Sequence, residues 1–450
     1  MNRLINLDIL RNCLEGIVPA GVATCGADGM PNVTYVSQIM YVDPDHVALS
    51  YQFFNKTREN ILFNPRASVL LMDPNSAARY RLELRYLRTE TDGALFERMK
   101  AKLAGIASHE GMVGVFRLRG TDIYRVLDIE HLPGRELPAE LPARTLLPAL
   151  RRCSDALGVC ETLDSLCDSL LDSVIGHFDV AQAMLLFADE AAASLFVVAS
   201  RGYPQAGTGA EIPFGVGVIG VAARERVPIR IMYAAAEYAY TRAVREQLLE
   251  GGLESELDQR IPLPGLGSPA SQLAIPLVGG GRLLAVLYLE SRQECRFGYD
   301  IEDALVALCA QASQAMALMQ MQEDRAPERV PATAAAPVPA GQTLRVEHYP
   351  RDHSLLVDGD YLIKGVAGAI LWTLLNDFRD QGRTEFSNRE LRRDPRIGLP
   401  EVGDNLEARL ILLIRRLDER RLPIRLEKPV QGRIRLRVGR PLMLQTREAS

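Results

Sequence analysis

Lys56 and Thr57 follow Asn55, a residue type that caps helices, and precede a short helical run through Phe63. Free N–H groups and the dipole at such a helix start favour a phosphate. Near the C-terminus Arg433, Arg435 and Arg437 alternate with Ile434 and Leu436, so one face of a strand is basic. Arginine suits both phosphate and guanine contacts. Cys153, Cys160 and Cys167 recur every seventh residue. On one helix neighbours would stand about 10 Å apart, too far to share a metal whose sulfurs sit around 2.3 Å away. They can meet symmetry mates across a two-helix seam or serve as small buried apolar residues. Gly215, Gly217 and Gly220 spell a dinucleotide fingerprint, but only a few helix-like residues separate them from the next strand, Pro228–Ile231. The fingerprint needs a long helix in a βαβ unit, so a tight turn is expected instead. Histidines are scattered, and His348 and His353 lack companions that would complete a site. Neither a metal nor a catalytic set is expected.

These residues are distributed over a chain whose charge is uneven. Residues 341–450 hold 21 Lys+Arg and 16 Asp+Glu, a net of +5, whereas residues 1–340 hold 31 and 41, a net of −10. Between the two lies DRAPERVPATAAAPVPAG, a Pro/Ala run that cannot build a core and should behave as a semi-extended spacer. A tethered basic unit suggests an effector whose partner is nucleic acid. At 450 residues the expectation is roughly three domains. No window nears the roughly 18 apolar residues of a membrane span, and charges interrupt the apolar patch of MNRLINLDILRNCLEG, which is not a secretory signal. Seven cysteines without paired spacing argue against a disulfide framework and for a cytoplasmic location.

Residues 1–135 read as a small barrel. Strands are expected at Ala20–Cys25, Asn32–Tyr41, His46–Gln52, Ala67–Met72, Tyr80–Thr89, Gly114–Arg119 and Ile123–Ile129, with a helix near Gly93–Ala107. GVATCGADGMPNVTYVSQIMYVDPDHVALSY followed by NKTRENILFNPRASVLL resembles the pyridoxamine-phosphate-oxidase-like split barrel, whose members usually bind FMN. The resemblance implies FMN contacts from Thr34, Ser37 and Gln38, from Ser50 and Tyr51, and from Lys56, Thr57 and Asn60. The strand Thr34–Ile39 lacks the oxidases' basic residues, and nothing after Ile129 matches their C-terminal segment. Vitamin oxidation is therefore not what the resemblance implies. The alternative is an empty barrel kept for dimer contacts.

Residues 145–322 read as an α+β sandwich. Apolar residues recur every three or four positions over Leu146–Ile175, predicting one long helix. Strands follow at Ala183–Phe187, Leu195–Ala199, Leu273–Val278 and Leu283–Glu290, then a helix over Ile301–Met321. GAEIPFGVGVIGVAARERVPIRI, LAIPLVGGGRLLAVLYLES and RFGYDIEDALVALCAQASQAMAL resemble a GAF domain. GAF domains are small-molecule or redox sensors that pair through flanking helices. The ligand stays open, because neither a cyclic-nucleotide set nor a bilin cysteine is present. Tyr233, Tyr238 and Tyr240 either line its cavity or pack.

After the linker, 323–341, residues 342–446 resemble the winged-helix DNA-binding domain of OmpR-type response regulators. VDGDYLIKGVAGAILWTLL, LIRRLDER and the hairpin in IRLEKPVQGRIRLRV carry the likeness. It implies DNA-side positions for Arg409, Arg415 and Arg416 on the third helix and for Arg433, Arg435 and Arg437 on the wing. That third helix, expected over Asp404–Arg421, is apolar nearly all round through Leu410–Ile414, and such a helix should be buried against another domain or protomer.

The combined expectation is a multidomain α+β homodimer: a split barrel, a GAF sandwich and a winged helix. It would act as a one-component transcriptional regulator that senses a redox state or small ligand and binds DNA. The alternatives are an FMN-dependent oxidoreductase with regulatory domains, or a regulator whose winged helix grips protein.

Overall fold

The fold is taken from a computed structural model, which describes residues 6–14, 18–36, 38–52, 56–93, 95–100, 103, 118–137, 145–231, 261–267, 269–294, 296–323, 342–399, 406–430 and 432–447. The expected Pro/Ala linker, Ser37, Asn55, Tyr233, Tyr238 and Tyr240 lie outside the described residues.

Strands β1 (Ala20–Cys25), β2 (Pro31–Val36), β3 (Ile39–Asp43), β4 (His46–Tyr51), β5 (Arg66–Met72), β6 (Arg79–Glu90) and β7 (Gly120–Leu132) form one antiparallel sheet. Its order is β2-β1-β5-β6-β7-β4-β3. Alternate residues of β5 are buried, as a sheet with one face on a core requires. Val22, Val69, Leu71, Leu82, Leu84 and Tyr124 build that core. A 3-10 helix, Leu7–Leu14, closes it with Leu7, Leu10, Cys13 and Leu14. The single strand expected over Asn32–Tyr41 is instead two. β2 pairs with β1 and β3 with β4, so the chain crosses from one end of the strand order to the other between them. No ladder joins β2 to β3 among the described residues. β7 is one long strand, and two register shifts against β6 bend the pair. Most of the expected strand Gly114–Arg119 lies outside the described residues. Of the helix expected near Gly93–Ala107, residues 95–100 are helical.

The second unit is a six-stranded sheet, β10-β9-β8-β13-β12-β11. Its strands are β8 (Gln182–Asp189), β9 (Ser194–Arg201), β10 (Glu211–Pro213), β11 (Ile229–Ile231), β12 (Ser271–Gly279) and β13 (Arg282–Ser291). Both faces are covered, so the strands are continuously apolar instead of alternating. Helices α2 (Leu147–Gly158), α3 (Leu163–Phe178) and α5 (Tyr299–Glu323) pack with Leu185 and Phe187. Helix α4 (Gly217–Glu225) packs with Met184 and Leu186 on the other side.

The long helix expected over Leu146–Ile175 is a helix pair. The Thr162 hydroxyl accepts from the Ser165 amide, and the Ser165 side chain accepts from the Thr162 amide, so a second helix starts there. The break turns Cys153 and Cys167 into the chain's own core, and the Cys153 thiol donates to the Ser173 carbonyl. Cys153 and Cys167 thus serve as small buried apolar residues, the second of the two readings open to them. The glycine fingerprint is a turn: Gly215 has φ 83°, and a Cβ on Gly220 would stand 2.4 Å from the Pro213 carbonyl oxygen.

In the third unit β14 (Leu344–Tyr349), β15 (Ser354–Val357) and β16 (Asp360–Ile363) precede α6 (Gly365–Gln381). β17 (Glu385–Ser387), α7 (Asn388–Arg393) and α8 (Leu406–Glu419) follow, then β18 (Ile424–Glu427), β19 (Arg433–Val438) and β20 (Leu442–Thr446). Ser387 caps α7 as expected, its hydroxyl accepting from the Glu390 amide. Two strands were not foreseen. β17 adds to the hairpin, giving β17-β19-β18, and β20 returns to lie parallel to β14.

The third unit packs against the second. A single apolar cluster contains Leu166, Leu170 and Phe196 of the second unit together with Leu374, Leu410 and Leu412 of the third. Among the described residues, no helix is long and apolar enough to cross a membrane.

Candidate functional site

In the barrel, β2, β4 and the start of α1 (Lys56–Phe63) converge on a cavity of about 80 Å³. Thr34, Ser50, Tyr51 and Thr57 line it, so half of the eight residues expected to hold a cofactor come together. Gln38 and Asn60 do not line it. Gln38 is fully buried, its backbone paired with Ser50, and its side-chain amide donates to the Ile39 carbonyl. Asn60 lies on the buried face of α1 and donates to the Thr24 hydroxyl. Thr57 is fixed by the Asn32 amide at 2.8 Å. Lys56 is exposed, 3.9 Å from Glu59.

The chemistry that sequence reasoning missed lies deeper. Arg58 pairs with Asp122 at 2.5 Å, their side chains 16% and 7% exposed. The Asp122 carboxylate also accepts from Thr89, whose hydroxyl meets that of Tyr86 at 2.7 Å. The Arg58 guanidinium lies 4.7 Å above the Tyr51 ring and 5.6 Å from that of Tyr86. Burial raises the Asp122 carboxyl above its ordinary range, against the opposing pull of Thr89 and Arg58. Burial likewise pushes the Tyr124 phenol up. Gln52 is buried on the cavity wall, and its amide oxygen has no hydrogen-bond partner among the described residues. An unpaired buried acceptor of this kind costs free energy unless a donor arrives.

Arg58 was detectable in principle, being one residue beyond the expected Lys56-Thr57 pair. Asp122 was not, since the β4–β7 ladder brings it opposite Leu49 across more than sixty residues.

In the second unit, Glu290 is buried beside α4's side of the sheet. It accepts from the Tyr288 hydroxyl at 3.2 Å and from the Leu266 amide at 2.6 Å. The sequence reading did not single it out. Among the described residues, no group of three or more His, Cys, Asp or Glu could hold a metal ion.

The expected DNA-facing arginines of α8 are not on an open surface. Arg409 is buried, paired with Asp189 of β8 and stacked 4.4 Å from the Phe196 ring of β9. Arg415 pairs with Asp164 at 2.7 Å and Asp168 at 3.1 Å, both on α3. Arg416 is buried and donates to the Leu362 carbonyl. The physical reason is the helix's two apolar faces. Leu410, Leu413 and Leu417 are sealed on one side, while Leu412, about a sixth of a turn from both Arg409 and Arg415, lies against Gly209 of the second unit. On the hairpin, Arg435 pairs with Glu385 at 2.8 Å and Arg437 with Glu427 at 2.6 Å. Arg437 is exposed and Arg433 half-buried.

With this geometry established, residues 8–126 match the family model for pyridoxamine 5'-phosphate oxidase and residues 160–317 that for the GAF domain. The barrel and the six-stranded sheet unit thus each fall within a segment that matches one of these two models. No curated protein matches it. Among solved structures it is similar to the GAF domain of an Acinetobacter phosphoenolpyruvate-protein phosphotransferase. The identity is 19%, covering 41% of this chain and 99% of that one, with a TM-score of 0.31. It is also similar to an FMN-binding protein from Syntrophomonas wolfei. There the identity is 13%, the coverage 28% and 86%, and the TM-score 0.25.

Proposed function

We propose that this protein is a sensory regulator whose barrel holds FMN, whose GAF domain takes a second small ligand, and whose C-terminal domain is a winged-helix output that binds DNA. The observation that carries the flavin reading is the cavity where Thr34, Ser50, Tyr51 and Thr57 meet beside the unpaired Gln52 oxygen. The residues present fit the group. Gln52 offers an acceptor to a ring N–H, Tyr51 a flat wall, and the first turn of α1 a phosphate seat. When bound, FMN would supply one- or two-electron chemistry.

At about 80 Å³ the cavity is smaller than the roughly 300 Å³ at which ligand pockets begin. A second copy of the chain supplies the missing wall in this reading. Tyr35, 79% exposed, stands at the cavity mouth, and Val33, Leu62 and Phe63 are also exposed on β2 and α1. The GAF domain connects to the output through β9. Leu195 and Val197 face one core of the sheet, and Phe196 faces the other, beneath Arg409.

The test is absorbance and mass spectrometry of the protein as purified, with sedimentation to give its mass. A yellow dimer carrying an FMN mass supports the reading. A colourless protein that fails to quench added FMN fluorescence overturns its flavin part, and rapid NADH turnover would replace the regulator with an oxidoreductase.

A further inference from the structure

We propose that the GAF domain inhibits the C-terminal domain in cis, its aspartates occupying the anion sites that phosphates of DNA would take on α8. The proposal rests on the reading of the C-terminal domain as a DNA-binding output. Arg409 and Arg415 project from the helix on either side of Leu412, about 1.7 turns apart, and both reach acids of the GAF domain. Each guanidinium already grips a carboxylate. Arg415 donates to Asp164 Oδ1 from both Nε (3.0 Å) and Nη2 (2.7 Å), and Asp168 stands 3.1 Å away. Arg409 holds Asp189. Forked guanidinium donors recognise carboxylate and phosphate with the same geometry.

The acids come from two separate elements, the first two turns of α3 and the end of β8, and so form a preset ledge. Asp168 and Asp172 are further held by Arg201 at 2.8 and 2.7 Å. A third ion pair, Lys364 to Glu211 at 3.0 Å, ties the N-cap of α6 to β10 at the same border. The −10 of residues 1–340 against the +5 of residues 341–450 is the same complementarity at larger scale. While the domains are docked, these two arginines cannot meet a duplex. Once apart, they present two cations on one helix face.

The experiment is fluorescence anisotropy of a labelled random-sequence DNA duplex titrated with the full chain, as wild type and as D164N/D168N/D189N. Small-angle scattering reports whether the domains have separated. The triple variant should extend and bind roughly tenfold more tightly, with a slope of log K against log salt steeper by about 2 for two freed cations. Adding R409A/R415A should remove the gain without restoring the compact form. D164N/D168N changes only half-exposed side chains and keeps the test decisive if the triple variant misfolds. Extended domains with unchanged DNA affinity would overturn the DNA reading itself. A triple variant that stays compact, with wild-type affinity, would overturn the clamp while leaving that reading intact.

Discussion

Asp122→Asn is the sharpest test of the barrel site. The substitution keeps the shape and the oxygen that accepts from Thr89, and removes only the negative charge facing Arg58. Both side chains are largely withdrawn from water, at 16% and 7% exposure. Breaking such a pair from one side typically costs about 3–5 kcal/mol, because a buried charge is left uncompensated. The tyrosine faces over which Arg58 lies remain and offset part of this. The expected loss is therefore near 3 kcal/mol, roughly 150-fold in the opening equilibrium of the barrel. Tryptophan fluorescence would miss it, because the chain's one tryptophan, Trp372, sits in α6 of the C-terminal domain. Amide hydrogen exchange of peptides from β4, α1 and β7 reads it directly. The double replacement R58M/D122L removes both charges and should recover most of the protection, to within about 1 kcal/mol of wild type. If D122N exchanges within a factor of about three of wild type, the pair is screened by water. The buried-site reasoning then fails.

K56A/T57A should weaken FMN binding about tenfold or more in a fluorescence-quenching titration, by removing the cation and hydroxyl of the first helical turn. Gly220→Ala should destabilise the GAF domain by about 1–3 kcal/mol despite alanine's better helix propensity, since its Cβ meets a backbone carbonyl at 2.4 Å; thermal unfolding followed by circular dichroism measures this. Asp394 is held below its ordinary 3.8 by its hydrogen bond to Arg396. Its depressed value means stability present above pH 3.8 and lost as pH falls through the folded-state value, so Trp372 fluorescence should report acid loosening of the C-terminal domain below that pH. Of the described cysteines, the half-buried Cys25 and Cys160 should be the first that an aromatic disulfide labels. Cys13 and Cys167 should stay inert in the folded protein, since both are buried and burial lifts each thiol to about 12.

Local pattern carried most of the elements. Strand β1 runs over the six residues its apolar alternation marks, and the helix start at Lys56 follows the expected cap position. The four long strands of the second unit are each found within one or two residues of their expected ends, because a continuously apolar run bounded by turn residues has few other solutions. Where the pattern misled, a local signal was outweighed. The apolar periodicity of Leu146–Ile175 continues through the break at Val159–Thr162, and only the Thr162–Ser165 cap shows that the helix stops. In Asn32–Tyr41 the residues stay strand-like while their pairing partners change.

By itself the sequence determined a strand-rich first segment, a helix start at Lys56, and a C-terminal helix through Leu410–Ile414 too apolar to stand in water. These follow from spacing and side-chain type within a few turns of chain. Only the tertiary structure decided what that helix rests on, and that Arg58 meets Asp122 and Arg415 meets Asp164. Such pairings depend on sheet register and domain docking, which join residues 64 and 251 positions apart, and no local periodicity encodes them. Five of the six arginines expected to face nucleic acid, Arg409, Arg415, Arg416, Arg435 and Arg437, are in the folded chain already holding its own acids.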